Sequence, residues 1–234
     1  MAKIWDNLTM TEQTLTTNIS AVSSNQNKHE TKNPLRKIFL DNFHAVLGKT
    51  IIENCPFNKT PSDEKPSLET VLEVGCGEGF VLDHLSRNFT ISTIIGTDIS
   101  KEALDIAKAK LPQAVFTPAD LSSEEFPQTL SNFNQPKFDL VLCLEVLEHI
   151  TDYEKALQNL ANIPAETFII SVPNEPFFRL SNFLALKNIK AFGNDSGHVN
   201  IWSAKKFRNI LLNYFQVVSC HYPFPWQMYV CKKK

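Results

Sequence analysis

The chain has 234 residues, 43% hydrophobic and 21% charged, with a formal net charge of −2, which suits one α/β domain with appendages or two very small domains and excludes bulk attraction to nucleic acid or anionic lipid. Its five cysteines (Cys55, Cys76, Cys143, Cys220 and Cys231) are odd in number and lack C-x-x-C spacing, which argues against a disulfide framework or a cysteine zinc site and for a reducing compartment. No apolar run is long enough to span a bilayer and the first residues lack the apolar core of a secretory signal, so the expectation is a cytoplasmic protein without stable transmembrane association.

Residues 1–33 are rich in Thr, Asn, Ser and Gln without a sustained period, and read as a flexible segment with one short docking turn around Ile4 to Leu8. Pro34 opens an amphipathic helix over 34–54, in which Leu35, Ile38, Phe39, Phe43, Val46 and Leu47 recur at three- and four-residue steps. Residues 55–67 carry three prolines and form a linker.

From Glu69 onward strands and helices alternate. The first strand ends at Val74, and a helix begins at Phe80. Ile91 to Asp98 is a second strand, followed by a helix that Ser100 caps. Ala114 to Thr117 makes a short third strand, Ser122 to Leu130 a helix, Phe138 to Leu144 a fourth strand, Tyr153 to Asn162 a helix and Phe168 to Val172 a fifth strand. This alternation predicts a parallel sheet covered on both faces. A helix over Ala204 to Tyr214 precedes two strands, Gln216 to His221 and Trp226 to Cys231. Only four residues separate them, too few for a crossover, so they pair antiparallel.

The stretch Val71-Leu72-Glu73-Val74-Gly75-Cys76-Gly77-Glu78-Gly79-Phe80 is a strand, a tight glycine turn and a helix start, a corner at which a ligand can approach bare backbone. Its spacing is G-x-G-x-G, not the G-x-G-x-x-G of dinucleotide binding. The E-x-G-x-G-x-G pattern resembles motif I of the class I S-adenosylmethionine-dependent methyltransferases, and a terminal antiparallel hairpin on a parallel sheet is characteristic of that family. The resemblance covers residues 33–234. It implies a Rossmann-like doubly wound α/β domain over 34–234, with S-adenosyl-L-methionine as methyl donor and S-adenosyl-L-homocysteine as product. In the family the glycines admit the amino-acid end of the cofactor, which places Glu73, Gly75, Cys76 and Gly77 there. Asp98, beside Ile99, matches the acid that holds the ribose hydroxyls. Asp120 matches the acid that binds the adenine amino group, with Leu121 in backbone contact, and Leu144 borders the methyl-donor end. Asp98 also lies close enough to Ser100 to act only as a cap. Cys76 and Cys143 read as small buried fillers.

The run Cys143-Leu144-Glu145-Val146-Leu147-Glu148-His149-Ile150 resembles the segment after strand four of the ubiquinone-biosynthesis O-methyltransferases. In a helical turn Glu145, Glu148 and His149 would share a face. His149, with Glu145 and the distal His198, is then the candidate group to orient or deprotonate an acceptor hydroxyl. The same carboxylates and imidazoles, Glu145, Glu148, His149 and His198, are candidate ligands for magnesium or manganese. That set resembles the metal site of small-RNA 3′-end 2′-O-methyltransferases, although the surroundings of His198 differ and no compact basic patch for RNA is evident.

Residues 174–202 read as a lid over the acceptor. Its apolar stripe, Phe177, Phe178, Leu180, Phe183, Leu184, Leu186, Ile189 and Phe192, is expected to bury itself against the core, and a prenyl or acyl acceptor or a membrane surface is the alternative occupant. The sequence therefore predicts methyl transfer to oxygen of a small or lipid-like acceptor. The rivals are a metal-dependent RNA ribose 2′-O-methyltransferase, a nicotinamide oxidoreductase and a non-catalytic binding module.

Overall fold

The computed structural model describes residues 33–57, 65–184 and 197–234. The expected docking turn at Ile4 to Leu8 and the lid positions Leu186, Ile189 and Phe192 lie outside the described residues. Helix α1 (Pro34–Asn54) begins where the Asn33 side chain accepts hydrogen bonds from the Leu35 and Arg36 amides, with Pro34 in the first turn. It buries Phe43, Leu47 and Ile51 at four-residue steps and leaves Leu35 and Ile38 exposed. There follow β1 (Ser67–Val74), α2 (Phe80–Asn88), β2 (Thr90–Asp98), α3 (Lys101–Lys110), β3 (Val115–Pro118) and α4 (Phe126–Ser131). Strand β4 (Phe138–Leu144) leads through a single 3₁₀ turn at Leu147–His149 to α5 (Tyr153–Asn162), β5 (Ala165–Pro173) and α6 (Phe177–Leu184). Helix α7 (Ala204–Tyr214) and the strands β6 (Phe215–His221) and β7 (Trp226–Lys233) complete the chain.

The seven strands run in the order β3-β2-β1-β4-β5-β7-β6. The first five are mutually parallel, and β7 inserts antiparallel between β5 and β6. Alternation along β1 sorts its side chains between two cores. Leu72 and Val74 pack with Leu157, Leu160, Phe207 and Leu211 of α5 and α7. On the opposite face Val71 packs with Leu47, Ile51, Leu82 and Leu104 of α1, α2 and α3. Strand order reverses between β1 and β4, which opens a crevice at their carboxyl ends.

Three local expectations need correction. The helix expected from Ser122 starts only at Phe126. Asp120 Oδ1 captures the Ser122 amide at 2.8 Å and Ser123 Oγ the Glu125 amide at 3.0 Å, so side chains replace the helical bonds there. Strand β5 is longer than expected, running from Ala165 to Pro173. The lid stripe is not buried throughout: Phe177 is 48% and Leu180 51% exposed, because α6 lies at the rim of the crevice.

All five cysteines are free. Among the described residues, no helix is long and apolar enough to cross a membrane.

Candidate active site

The glycine turn after β1 is held by its neighbour strand. The amides of Gly75 and Cys76 both donate to the Thr97 carbonyl, at 2.7 and 2.9 Å, and Gly77 N–H donates to Asp98 Oδ2 at 2.8 Å. Gly75 has φ 73° and Gly77 φ 51°, a region that disfavours side chains. At Gly75 a Cβ would also overlap the Val146 side chain. The turn is braced from below by α3. Lys110 Nζ sits 3.1 Å from the centroid of the Phe80 ring and donates to the Glu78 carbonyl at 3.0 Å.

Asp98, at the end of β2, does two structural jobs. Oδ2 receives Gly77 N–H and Oδ1 receives Ser100 N–H at 2.9 Å. Each carboxylate oxygen has a second lone-pair direction, so the cap reading and the ligand reading coexist. Asp120 Oδ1 accepts from the amide and hydroxyl of Ser122, at 2.8 and 2.7 Å, which fixes the side chain. Glu73 is buried, and its Oε2 meets no hydrogen-bond partner among the described residues. Burial pushes its carboxyl well above the usual range, the Asp98 charge adds to this, and a hydrogen bond with the Leu82 backbone opposes it. Burial and the neighbouring acids also raise the thiols of Cys76 and Cys143, so neither is a thiolate nucleophile.

Across the crevice, the end of β4 departs from the expected helical turn. Glu145 has φ 58°, a left-handed conformation that a non-glycine residue adopts only when its surroundings hold it. Its amide donates to the Ser171 carbonyl at 3.0 Å, and its Oε1 accepts from Ser171 Oγ at 2.9 Å. Glu145 therefore turns toward β5 and does not share a helical face with Glu148 and His149. Glu148, His149 and His198 do converge, with one ligand atom from each lying within 4.8 Å of the others. The metal set expected from the sequence is thus reduced to three by the twist at Glu145. His149 Nδ1 lies 2.8 Å from the Gly197 carbonyl. A carbonyl only accepts, so Nδ1 carries the hydrogen and a neutral ring keeps its lone pair on Nε2. The His149 and His198 rings meet edge to face at 4.9 Å.

These groups line one cavity of about 410 Å³. It brings together every residue singled out from the sequence: Glu73, Gly75, Cys76, Gly77, Asp98, Ile99, Asp120, Leu121, Leu144, Glu145, Glu148, His149 and His198. Sequence reasoning missed much of the opposite wall. Arg36, Leu40, Phe43 and His44 of α1 reach the cavity at four-, seven- and eight-residue offsets, a spacing that could have identified them. Phe178 of α6, from the stripe expected as a lid, and Trp226 of β7 also line it. Trp226 had no local signal, because only the antiparallel insertion of β7 beside β5 brings it there. Phe43 and Trp226 pack edge to face at 5.3 Å. Behind them His44 stacks on His84 of α2 at 4.3 Å. Burial and then the His84 charge push His44 down to about 4, with Asp41 opposing.

Among the described lining residues six carboxyl groups face a single permanent cation, Arg36. The cavity suits a ligand with net positive charge.

A methyltransferase domain family model matches residues 44–219 of the chain. The chain is 31% identical over 94 residues to a ubiquinone biosynthesis O-methyltransferase of Alkalilimnicola ehrlichii, covering 40% of this chain and 36% of that protein. It is 33% identical over 91 residues to the protein of the same name from Histophilus somni, covering 38% and 37%. The chain thus spans little more than a third of the length of these curated relatives. Its fold is similar to magnesium protoporphyrin IX methyltransferase of Synechocystis, whose structure holds bound SAH, with TM-score 0.62, 17% identity and coverage of 97% and 99%.

Proposed function

The chain belongs to the methyltransferase domain family, and we propose that it transfers a methyl group from S-adenosylmethionine to an oxygen of a small or lipid-like acceptor. The observation that carries this reading is the cavity at the strand-order reversal, where the glycine turn, Asp98 and Asp120 face Glu148, His149 and His198. The relatives named as ubiquinone biosynthesis O-methyltransferases support oxygen as the receiving atom.

The donor is fitted by groups already in place. Glu73 offers a buried oxygen that has no described partner to the amino-acid end, and Arg36 is the described cation on the wall to balance a carboxylate. Asp98 keeps lone pairs for two ribose hydroxyls, and Asp120 with Leu121 and Ile99 borders the base. When bound, the cofactor supplies a sulfonium methyl: the carbon–sulfur bond breaks as the carbon–oxygen bond forms, leaving S-adenosylhomocysteine. His149 Nε2 takes the proton from the acceptor hydroxyl, and Nδ1–H to the Gly197 carbonyl holds the ring in the tautomer for that task. Ser171 holds the Glu145 carboxylate on the β5 side of the cavity. No covalent enzyme intermediate is needed, so alignment supplies most of the acceleration. Residues 34–234 act as one domain in this reading, with the insertion 174–202 shaping acceptor choice.

A second reading concerns the same three side chains. Glu148, His149 and His198 are close enough together to hold a divalent cation, with His149 Nδ1 engaged by a carbonyl as is usual for a ligating imidazole. In that case the ion lowers the cost of ionising the acceptor and His149 is a ligand, not a base.

Titration calorimetry with S-adenosylmethionine, S-adenosylhomocysteine and NAD tests the central reading. Heat with both sulfur nucleosides and none with NAD is expected. A folded protein that binds neither sulfur nucleoside would overturn it. Transfer of labelled methyl to catechol, with and without EDTA, separates base from metal.

A further inference from the structure

The turn that carries Glu148 and His149 is poorly held by its own backbone. It follows Glu145 at φ 58° and Val146 at φ −120°, and among the described residues its backbone bonds include His149 N–H to Val146 O at 3.0 Å and Ile150 N–H to Leu147 O at 3.3 Å. A single 3₁₀ turn leaves the Glu148 and Ile150 carbonyls to partners from outside it. The segment that begins at Gly197 supplies them. Val199 N–H and Asn200 N–H both donate to the Glu148 carbonyl, at 2.9 and 3.0 Å. The Asn200 side-chain amide donates from Nδ2 to Leu147 O at 3.2 Å and to Ile150 O at 2.7 Å. Asn200 thus reaches the carbonyls of Leu147, Glu148 and Ile150, on both sides of His149.

The same short segment also gives the Gly197 carbonyl that receives His149 Nδ1, and His198 itself. It is anchored at its far end by Trp202, buried against Tyr153 and Phe207 with ring distances of 5.2 and 5.1 Å. The register between Trp202 and the turn is therefore set by Asn200. Shifting it would move the acceptor of His149 Nδ1 and the His198 ring together.

We propose that Asn200 is a positioning residue for methyl transfer: it clamps the Leu147–His149 turn to the Gly197–Trp202 segment and so holds His149 in its working tautomer and orientation. This rests on the reading of His149 as the group that handles the acceptor proton. Asn200 lines no part of the donor site, so its loss should leave donor binding intact. A displacement of the reacting group by about 1 Å costs roughly 100-fold in rate, so a loosened turn should lower kcat roughly 10–100-fold.

The test compares wild type with N200A, N200D and H149A. Asp cannot donate to two carbonyls when ionised, and N200S, which keeps one donor, serves if the larger changes prevent folding. Three measurements are made: methyl transfer to catechol, S-adenosylmethionine affinity by calorimetry, and the ¹⁵N shifts of the His149 ring at fixed pH. N200A and N200D are expected to lose kcat by the stated factor, with affinity changed by less than about twofold. Their His149 ring nitrogens should move from distinct protonated Nδ1 and bare Nε2 positions toward an exchange average, and N200S should fall between. Unchanged ring shifts in a folded N200A protein overturn the proposal. If H149A keeps full activity, the reading of His149 fails instead, and the ring shifts still decide whether Asn200 positions it.

Discussion

Replacing Asp98 by Ala tests the proposed donor site most sharply, because the same carboxylate that holds the glycine turn is the one proposed to meet the ribose. In the protein it accepts Gly77 N–H at 2.8 Å and Ser100 N–H at 2.9 Å. Hydrogen bonds to a charged group contribute roughly 1.5–3 kcal/mol each, and the site is partly open, so loss of both should lower stability by about 2–4 kcal/mol. Two ribose hydroxyl contacts of the same kind are worth about 3–6 kcal/mol, or roughly 10²–10⁴-fold in Kd. Asp98→Asn keeps one acceptor and should lie between. Calorimetry with S-adenosylhomocysteine and its 2′-deoxy analogue on both proteins isolates the direct contact. Removing the hydroxyl and removing the carboxylate should not add, because each deletes the same interaction. An Asp98→Ala protein that is folded and binds within about threefold of wild type would refute the ribose role and leave only the cap.

Glu73→Gln should weaken S-adenosylmethionine binding and change the pH dependence of stability. The Glu73 carboxyl is raised in the folded protein, so its contribution is fully present below the ordinary value of 4.5 and is lost as pH rises through the folded value. The variant should therefore gain Tm relative to wild type at alkaline pH, and an equal Tm difference at every pH would count against this. His44 has the opposite sign. Lowered from 6.5 to about 4, it costs stability as pH falls through that window, and His44→Gln should flatten the acid limb of a Tm–pH profile. Lys110→Met removes the contact with Phe80 and the Glu78 carbonyl. It should weaken donor binding roughly 5–30-fold, equivalent to about 1–2 kcal/mol, while Lys110→Arg retains most of it. Calorimetry with an unchanged Kd for the Met variant would rule out the brace. His198→Ala should abolish any binding of manganese measured by electron paramagnetic resonance, and unaltered binding would exclude the three-residue set as its site.

How much of this was legible beforehand depended on range. The alternation of strands and helices, the positive-φ glycines of the Gly75–Gly77 turn and the acids at the ends of β2 and β3 are local patterns. Each is written in a few consecutive residues through side-chain period and backbone sterics. The antiparallel hairpin was readable too, since four residues between strands permit no crossover. The start of α4 was misplaced because Asp120 and Ser123 capture amides that helical periodicity alone assigned to a helix. Glu145 was misdirected for a nonlocal reason. Its left-handed twist is held by Ser171, 26 residues away on a neighbouring strand, and no spacing within 145–149 records that.

The sequence by itself therefore determined the side of the cavity built on the glycine turn and the strand ends, because its geometry is local. Only tertiary structure decided the facing wall. Leu40, Phe43, Phe178 and Trp226 come from elements far apart in the chain, and it is burial of the two sheet faces and the insertion of β7 that bring them to one wall.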